Sequence, residues 1–208
     1  MSIDSRRAAL VAATLGLGAL ATAPVAAASD SDGHRGCPVP YGRFVAKVRS
    51  VTPTVPGGLG QPMWVVLVNR DGDVCAVAFS GATRNSQWLL SRQIAAAKAF
   101  TANGLSTSRS QSFTTAALYA AVQPGGPLFG LDAGNPVDTS VAYKGPQRDW
   151  GTAEDPMVGH IVGGTITFGG GDPLFVGNAV VGGIGVSGDT ADRDQAVADA
   201  IRQALGLN

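Results

Sequence analysis

The segment Ala179-Val-Val-Gly-Gly-Ile-Gly-Val-Ser-Gly-Asp189 constrains this chain more than any other, because a strand-like apolar run passes through clustered glycines into a helix-like segment from Thr190 to Leu205. Gly183-Ile-Gly-Val-Ser-Gly188 fits the G-x-G-x-x-G pattern of dinucleotide-binding turns. A dinucleotide unit, however, needs a second parallel strand and an acidic residue about twenty positions further on. After Asp189 the 208-residue sequence has room for the helix alone, so the glycines are expected to serve another purpose. Glycines inside a strand mark the close approach of something else. A packed helix and a bound ligand both satisfy that, and the pattern does not separate them.

The rest of the chain alternates runs of strands and helices. Leu174 to Val176 and Ala179 to Val186 read as strands joined by a Gly177-Asn178 turn, and Val158 to Phe168 reads as a further strand. Met63 to Asn69 and Val74 to Phe79 flank Arg70-Asp-Gly-Asp73 as a hairpin, whose acidic turn lacks the ligand spacing of a calcium loop. Asn85 to Asn103 is alanine-rich and predicts a helix stopped at Gly104, with Trp88, Ala95 and Ala99 on one buried stripe. A second helix is expected from Phe113 to Gln123, with Ser112 as N-cap and Pro124-Gly-Gly-Pro127 as its stop. Leu128 to Pro156 carries few signals, and a connection of that length is usually functional or disordered. The closing helix should be capped by Asp189 and bury Val197, Ile201, Ala204 and Leu205. This order predicts an α+β domain with an antiparallel sheet covered by helices.

At the N-terminus, Arg6 and Arg7 precede an apolar run from Ala8 to Leu20 and the small-residue site Ala26-Ala27-Ala28, which reads as a signal peptide over residues 1–28. That run is shorter than the roughly twenty residues of a spanning helix. A secreted or extracytoplasmic protein without a membrane span is therefore expected. Residues 29–62 are rich in proline and glycine and read as a flexible segment with one short strand from Arg43 to Val51, leaving the compact domain to 63–208. Fifteen Lys and Arg balance fifteen Asp and Glu, so no basic surface for nucleic acid is implied. Cys37 and Cys75 are the only cysteines, and in an exported chain they point to a disulfide rather than a metal pair or catalytic thiol.

Several short motifs have competing readings. Gly169-Gly-Gly-Asp-Pro173 lacks the Lys-Ser/Thr of a phosphate loop; its glycines suit a bend between strands, and Gly170 and Gly171 could also line a ligand. Gly185-Val-Ser-Gly188 resembles part of a nucleophile elbow, but Asp189 stands where glycine is needed and both histidines precede Ser187. His34 and His160 are the only imidazoles. His160 reads as a surface residue at a strand start, with axial ligation of haem iron as its functional alternative. Asp189, Asp192, Asp194 and Asp199 suit the exposed start of a helix better than a metal site. Lys98 is either a surface cation near a helix end or a polar group in a pocket. No nucleophile, base and orienting group can be assembled, which favours binding over catalysis.

Gly169-Gly-Gly-Asp-Pro173, Val181 to Gly188 and Asp194-Gln-Ala-Val-Ala198, together with Val65 to Gly72 and Lys98-Ala-Phe-Thr-Ala102, resemble the GlcG/HbpS family of haem-binding or haem-degrading proteins. The same domain is found at the C-terminus of some PduO-type cobalamin enzymes. The resemblance runs from Met63 to Leu205 and implies a profilin-like antiparallel sheet flanked by helices, assembly into a homo-oligomer, and haem or a related tetrapyrrole as the small-molecule ligand. In the haem-binding branch a threonine in a Pro-Thr-x-x-Leu context is linked to haem contact. Thr114-Thr-Ala-Ala-Leu118 aligns with it, which makes Thr115 the carried-over candidate, with Thr114 replacing the proline. The expected pocket lies between the second helix and the glycine-rich strands, with Phe113 or Phe168 against the porphyrin and Lys98 as a further ligand contact. Where the family has a helix before the hairpin, this chain has its proline-rich segment. The alternatives are an enzyme acting on a small organic substrate and a non-catalytic oligomeric partner protein.

Overall fold

Strand β1 (Trp64–Asn69) is buried along its whole length, as its unbroken apolar run requires of a strand covered on both faces. In the computed structural model, which describes residues 36–208, it pairs antiparallel with β2 (Val74–Phe79) on one side and β4 (Ala179–Ser187) on the other. β3 (Gly171–Val176) pairs with β4, so the four-stranded sheet runs β2-β1-β4-β3 with every pairing antiparallel. The expected signal peptide and His34 lie outside the described residues. The acidic turn is a plain hairpin: Gly72 has φ +94°, and the Asp73 N–H donates to Asn69 Oδ1 at 2.9 Å.

Helices cover both faces of the sheet. On one side α1 (Tyr41–Val51) and α5 (Ala191–Leu205) pack on Val65, Leu67, Leu174, Ile184 and Val186. On the other, α2 (Ser91–Gly104) and the chain around Trp150 and Met157 pack on Trp64, Val66, Val68 and Val77. This is the α+β, profilin-like arrangement expected. Gly183 and Gly185 of β4 alternate with Ile184 and Val186 and face α2. A methyl group on Gly185 would collide with the Ala95 carbonyl, and one on Gly183 with the Ala99 carbonyl. The close neighbour of these glycines is therefore the alanine stripe of α2.

The segment from Pro38 to Pro62 is corrected most. Arg43 to Val51 is helical, and Phe44 and Val48 are fully buried in the core, so the packed domain begins well before Met63. Tyr41, Phe44, Val45, Val48 and Val51 recur at helical spacing, a stripe that the surrounding prolines and glycines obscure. Cys37 and Cys75 form the expected disulfide. A bulge lets Cys75 and Ala76 both join the core on the α1 side, which turns Cys75 toward its partner.

Other boundaries also shift. Helix α2 begins at Ser91, and Trp88 lies ahead of it, half exposed, while Ala95 and Ala99 are buried as expected. In place of a helix from Phe113, α3 (Thr115–Leu118) is a single turn capped by Thr114 Oγ1, which accepts from the Ala117 N–H. Ser112 instead donates to the Arg109 carbonyl, and the Phe113 N–H is held by Ser106. Val158 to Phe168 forms no sheet strand and makes only single pairings, such as Val158 with Val74 and Gly163 with Val137. The preceding connection contains α4 (Thr139–Ala142) and is fastened by the buried Arg92–Asp155 ion pair, with Arg92 also donating to the Ala142 carbonyl at 2.8 Å. On α5, Val197, Ala198, Ile201 and Leu205 are buried and Ala204 is only partly so.

Candidate ligand pocket beside the glycine turn

Four elements converge where Gly169-Gly-Gly171 enters β3. The Gly170 N–H donates to Gln195 Oε1 of α5 at 2.9 Å, and its carbonyl accepts from Val186 of β4 at 2.7 Å. The Gly171 N–H donates to Thr115 Oγ1 of α3 at 2.8 Å. Gly170 has φ +121°, and a Cβ there would press on the Val186 carbonyl and Lys98 Nζ, so only glycine suits the position.

Beneath the turn lies Lys98 of α2, fully buried. Its Nζ donates to Asp194 Oδ2 at 2.8 Å and to the Val186 carbonyl at 3.0 Å, and sits 4.6 Å from the centre of the Phe168 ring. Burial pushes the Lys98 amine down, and the neighbouring Asp194 opposes that shift. Burial likewise pushes the Asp194 carboxyl up against the pull of Lys98. Each offsets the other's desolvation. On the far side of Gln195 is Asp172, fully buried, whose Oδ1 accepts from Gln195 Nε2. Burial, followed by the charge of Asp199, pushes its carboxyl up to about 7, with Arg202 pulling the other way.

Outward from this scaffold opens a cavity of about 380 Å³ lined by Ala116, Tyr119, Phe168, Gly169, Ala191 and Asp192. Phe168 is 39% exposed and Tyr119 56% exposed. Ala116, Gly169 and Ala191 add little side-chain bulk beside Phe168, and Tyr119 and Asp192 are the residues with polar side chains. Apolar walls with a few oxygen groups are the usual composition of a small-molecule site.

The residues singled out in the sequence stand around this cavity more than in it. Thr115 is fully buried and ties α3 to the glycine turn. Gly170 and Gly171 are buried behind Gly169, and Lys98 lies behind Phe168 rather than on the helix surface. Phe113 is half exposed but lines a separate cavity with Leu105, Thr107 and Gln111. His160 is exposed beside β2, at the opposite sheet edge from β3, with Nε2 2.9 Å from Lys144 Nζ. No cluster of three or more metal-binding side chains occurs among the described residues. Tyr119 escaped sequence reasoning, and Asp192 was read only as part of an acidic helix start. Tyr119 falls four positions after Thr115, and that nearness was the available signal, although Thr115 is buried and Tyr119 exposed.

A family model described as "Haem degrading protein HbpS-like" matches residues 57–203. The chain belongs to the HbpS-like family. Among curated relatives it is 26% identical over 140 residues to the corrinoid adenosyltransferase PduO of Citrobacter freundii, a match covering 64% of this chain and 32% of that protein. The chain thus spans about a third of that relative's length. Among solved structures, the PduOC:Heme complex aligns with TM-score 0.55 and 22% identity, covering 80% of this chain and 92% of that one. The Klebsiella pneumoniae protein ORFY aligns with TM-score 0.53 and 21% identity, covering 80% and 88%. At these identities the structures establish a shared fold. The helix before the hairpin, read from the sequence as a departure from the family, is present as α1.

Proposed function

We propose that this protein binds haem or a related tetrapyrrole outside the cytoplasm, in the cavity between Tyr119 and Phe168. The observation that carries the reading is the cavity itself: an exposed aromatic ring shares its lining with Gly169, Ala116 and Ala191, small residues that suit a flat apolar molecule. The family described as haem degrading, and the haem complex of the PduOC structure, support the choice of ligand. The lining offers oxygen donors and neither imidazole nor thiolate. That set suits a hard ferric ion and a modest affinity.

Binding is favoured over chemistry on an organic substrate by the surroundings of Lys98. Its amine is committed to Asp194, the Val186 carbonyl and the Phe168 ring, leaving no open approach to its nitrogen. Extracytoplasmic placement is supported by the Cys37–Cys75 disulfide, which persists in oxidising compartments, and no described helix is long and apolar enough to cross a membrane. Homo-oligomerisation is supported by large exposed apolar side chains, including Trp88, Leu90 and Phe129; light scattering showing a monomer at every concentration would remove it. Scavenging or sensing of extracellular haem is the role that follows. Titration with hemin should move the Soret band away from that of free hemin at micromolar concentration. An unchanged band would end the reading.

A further inference from the structure

We infer that the phenol oxygen of Tyr119, rather than Thr115 or His160, meets the metal of a tetrapyrrole stacked on Phe168; this rests on the tetrapyrrole reading of the cavity. The Thr115 hydroxyl is fully buried and occupied by the Gly171 N–H. His160 belongs to the other edge of the sheet. Tyr119 lines the cavity, is 56% exposed, and its phenol makes no hydrogen bond among the described residues.

The local fold aims the phenol outward. Thr115 and Leu118 are buried and anchor the short helix, while Tyr119, the residue that ends it, is exposed and lines the cavity. The Gln123 side-chain amide donates to the Tyr119 carbonyl at 3.0 Å and staples the turn. Asp192, the other oxygen donor of the lining, lies in the first turn of α5. Tyrosinate is an established type of axial haem ligand. On binding, the phenol would release its proton to solvent, and its oxygen would donate a lone pair to iron that stays ferric, displacing the water bound there. No electron moves. One proton is released, so binding should weaken as the pH falls.

The test compares hemin and iron-free protoporphyrin on the full protein. For the wild type, hemin should give a phenolate-to-iron charge-transfer band and an iron–phenolate vibration in resonance Raman spectra. Tyr119→Phe should lose both signals and bind hemin about tenfold more weakly, while binding protoporphyrin as the wild type does. Tyr119→His should restore hemin binding with an imidazole-type spectrum. A Tyr119→Phe protein whose hemin spectrum matches the wild type overturns the inference alone, as does equal weakening toward hemin and protoporphyrin. A wild type that binds neither overturns the cavity reading and this inference with it. Phenolate signals that survive Tyr119→Phe but vanish in another tyrosine variant would also overturn it.

Discussion

Asp172 is the residue whose chemistry its surroundings change most. Its carboxyl is held at about 7, against an ordinary 3.8, by burial first and the charge of Asp199 second, although Arg202 approaches to 3.4 Å. The folded protein therefore keeps a proton that the unfolded chain gives up. The resulting stability is fully present below about pH 4, is lost as the pH climbs to about 7, and changes little beyond. Asp172→Asn mimics the protonated form. Its urea midpoint should vary less between pH 5 and pH 8 than that of the wild type, and at pH 8 the variant should be more stable by on the order of 1–4 kcal/mol. Equal pH dependence in the two proteins would rule Asp172 out as the source. Asp189 has the opposite sign. Burial alone would raise its carboxyl, but hydrogen bonds from Leu59, Thr190, Arg193 and Gln61 hold it at about 2. It contributes stability above the ordinary carboxylate range, lost as the pH falls through about 2. Neither shift was visible in the sequence, where both residues read as one acidic face and a turn. The difference lies in neighbours more than twenty positions away: Gln195 and Arg202 for Asp172, and Leu59 and Gln61 for Asp189.

Among the elements, the β4–α2 contact depends on Gly185, where an added methyl would meet the Ala95 carbonyl and the Ala99 amide. Gly185→Ala should cost about 1–3 kcal/mol in chemical denaturation, as overpacking does. Gly104→Ala, at a position with open space around it, should be neutral or stabilising by up to about 1 kcal/mol. Equal effects of the two would show that α2 does not seat on the glycines. The hairpins, α2 and α5 were legible because their apolar spacing and turn residues agree locally with the fold. Helix α1 was not, because five apolar positions at helical spacing sit among prolines and glycines, and only packing on α5 and β2 reveals their purpose. Val158 to Phe168 misled in the other direction. Its residues have strand character, but Gly163 and Gly164 both take positive φ, and the chain makes isolated pairings in place of a ladder. The candidate site was legible as a neighbourhood, since Thr115, Lys98 and the glycine turn do converge. Which side chains face the cavity depends on burial, a tertiary property.

Across the whole molecule, α2 holds two separate regions through two buried ion pairs. Arg92 fastens the long connection through Asp155, whose carboxylate also accepts from the Gly151 and Met157 amides, and its guanidinium lies 4.4 Å from the Trp150 ring. Lys98, under two turns further along, fastens the start of α5 and backs the Phe168 wall of the cavity. If these anchors act locally, the first can be removed without disturbing the second. Arg92→Leu leaves the Asp155 carboxylate buried without its partner, a change that typically costs about 3–5 kcal/mol. Loss of the anchor should also open the connection to limited proteolysis, with cuts falling between 128 and 156. Under conditions where the variant remains folded, its hemin spectrum should match that of the wild type, because the partners of Arg92, namely Asp155, Ala142 and Trp150, are not among the cavity residues. A variant that resists the protease yet loses the hemin shift would mean that the connection and the cavity are coupled through α2, and that the two anchors work as one.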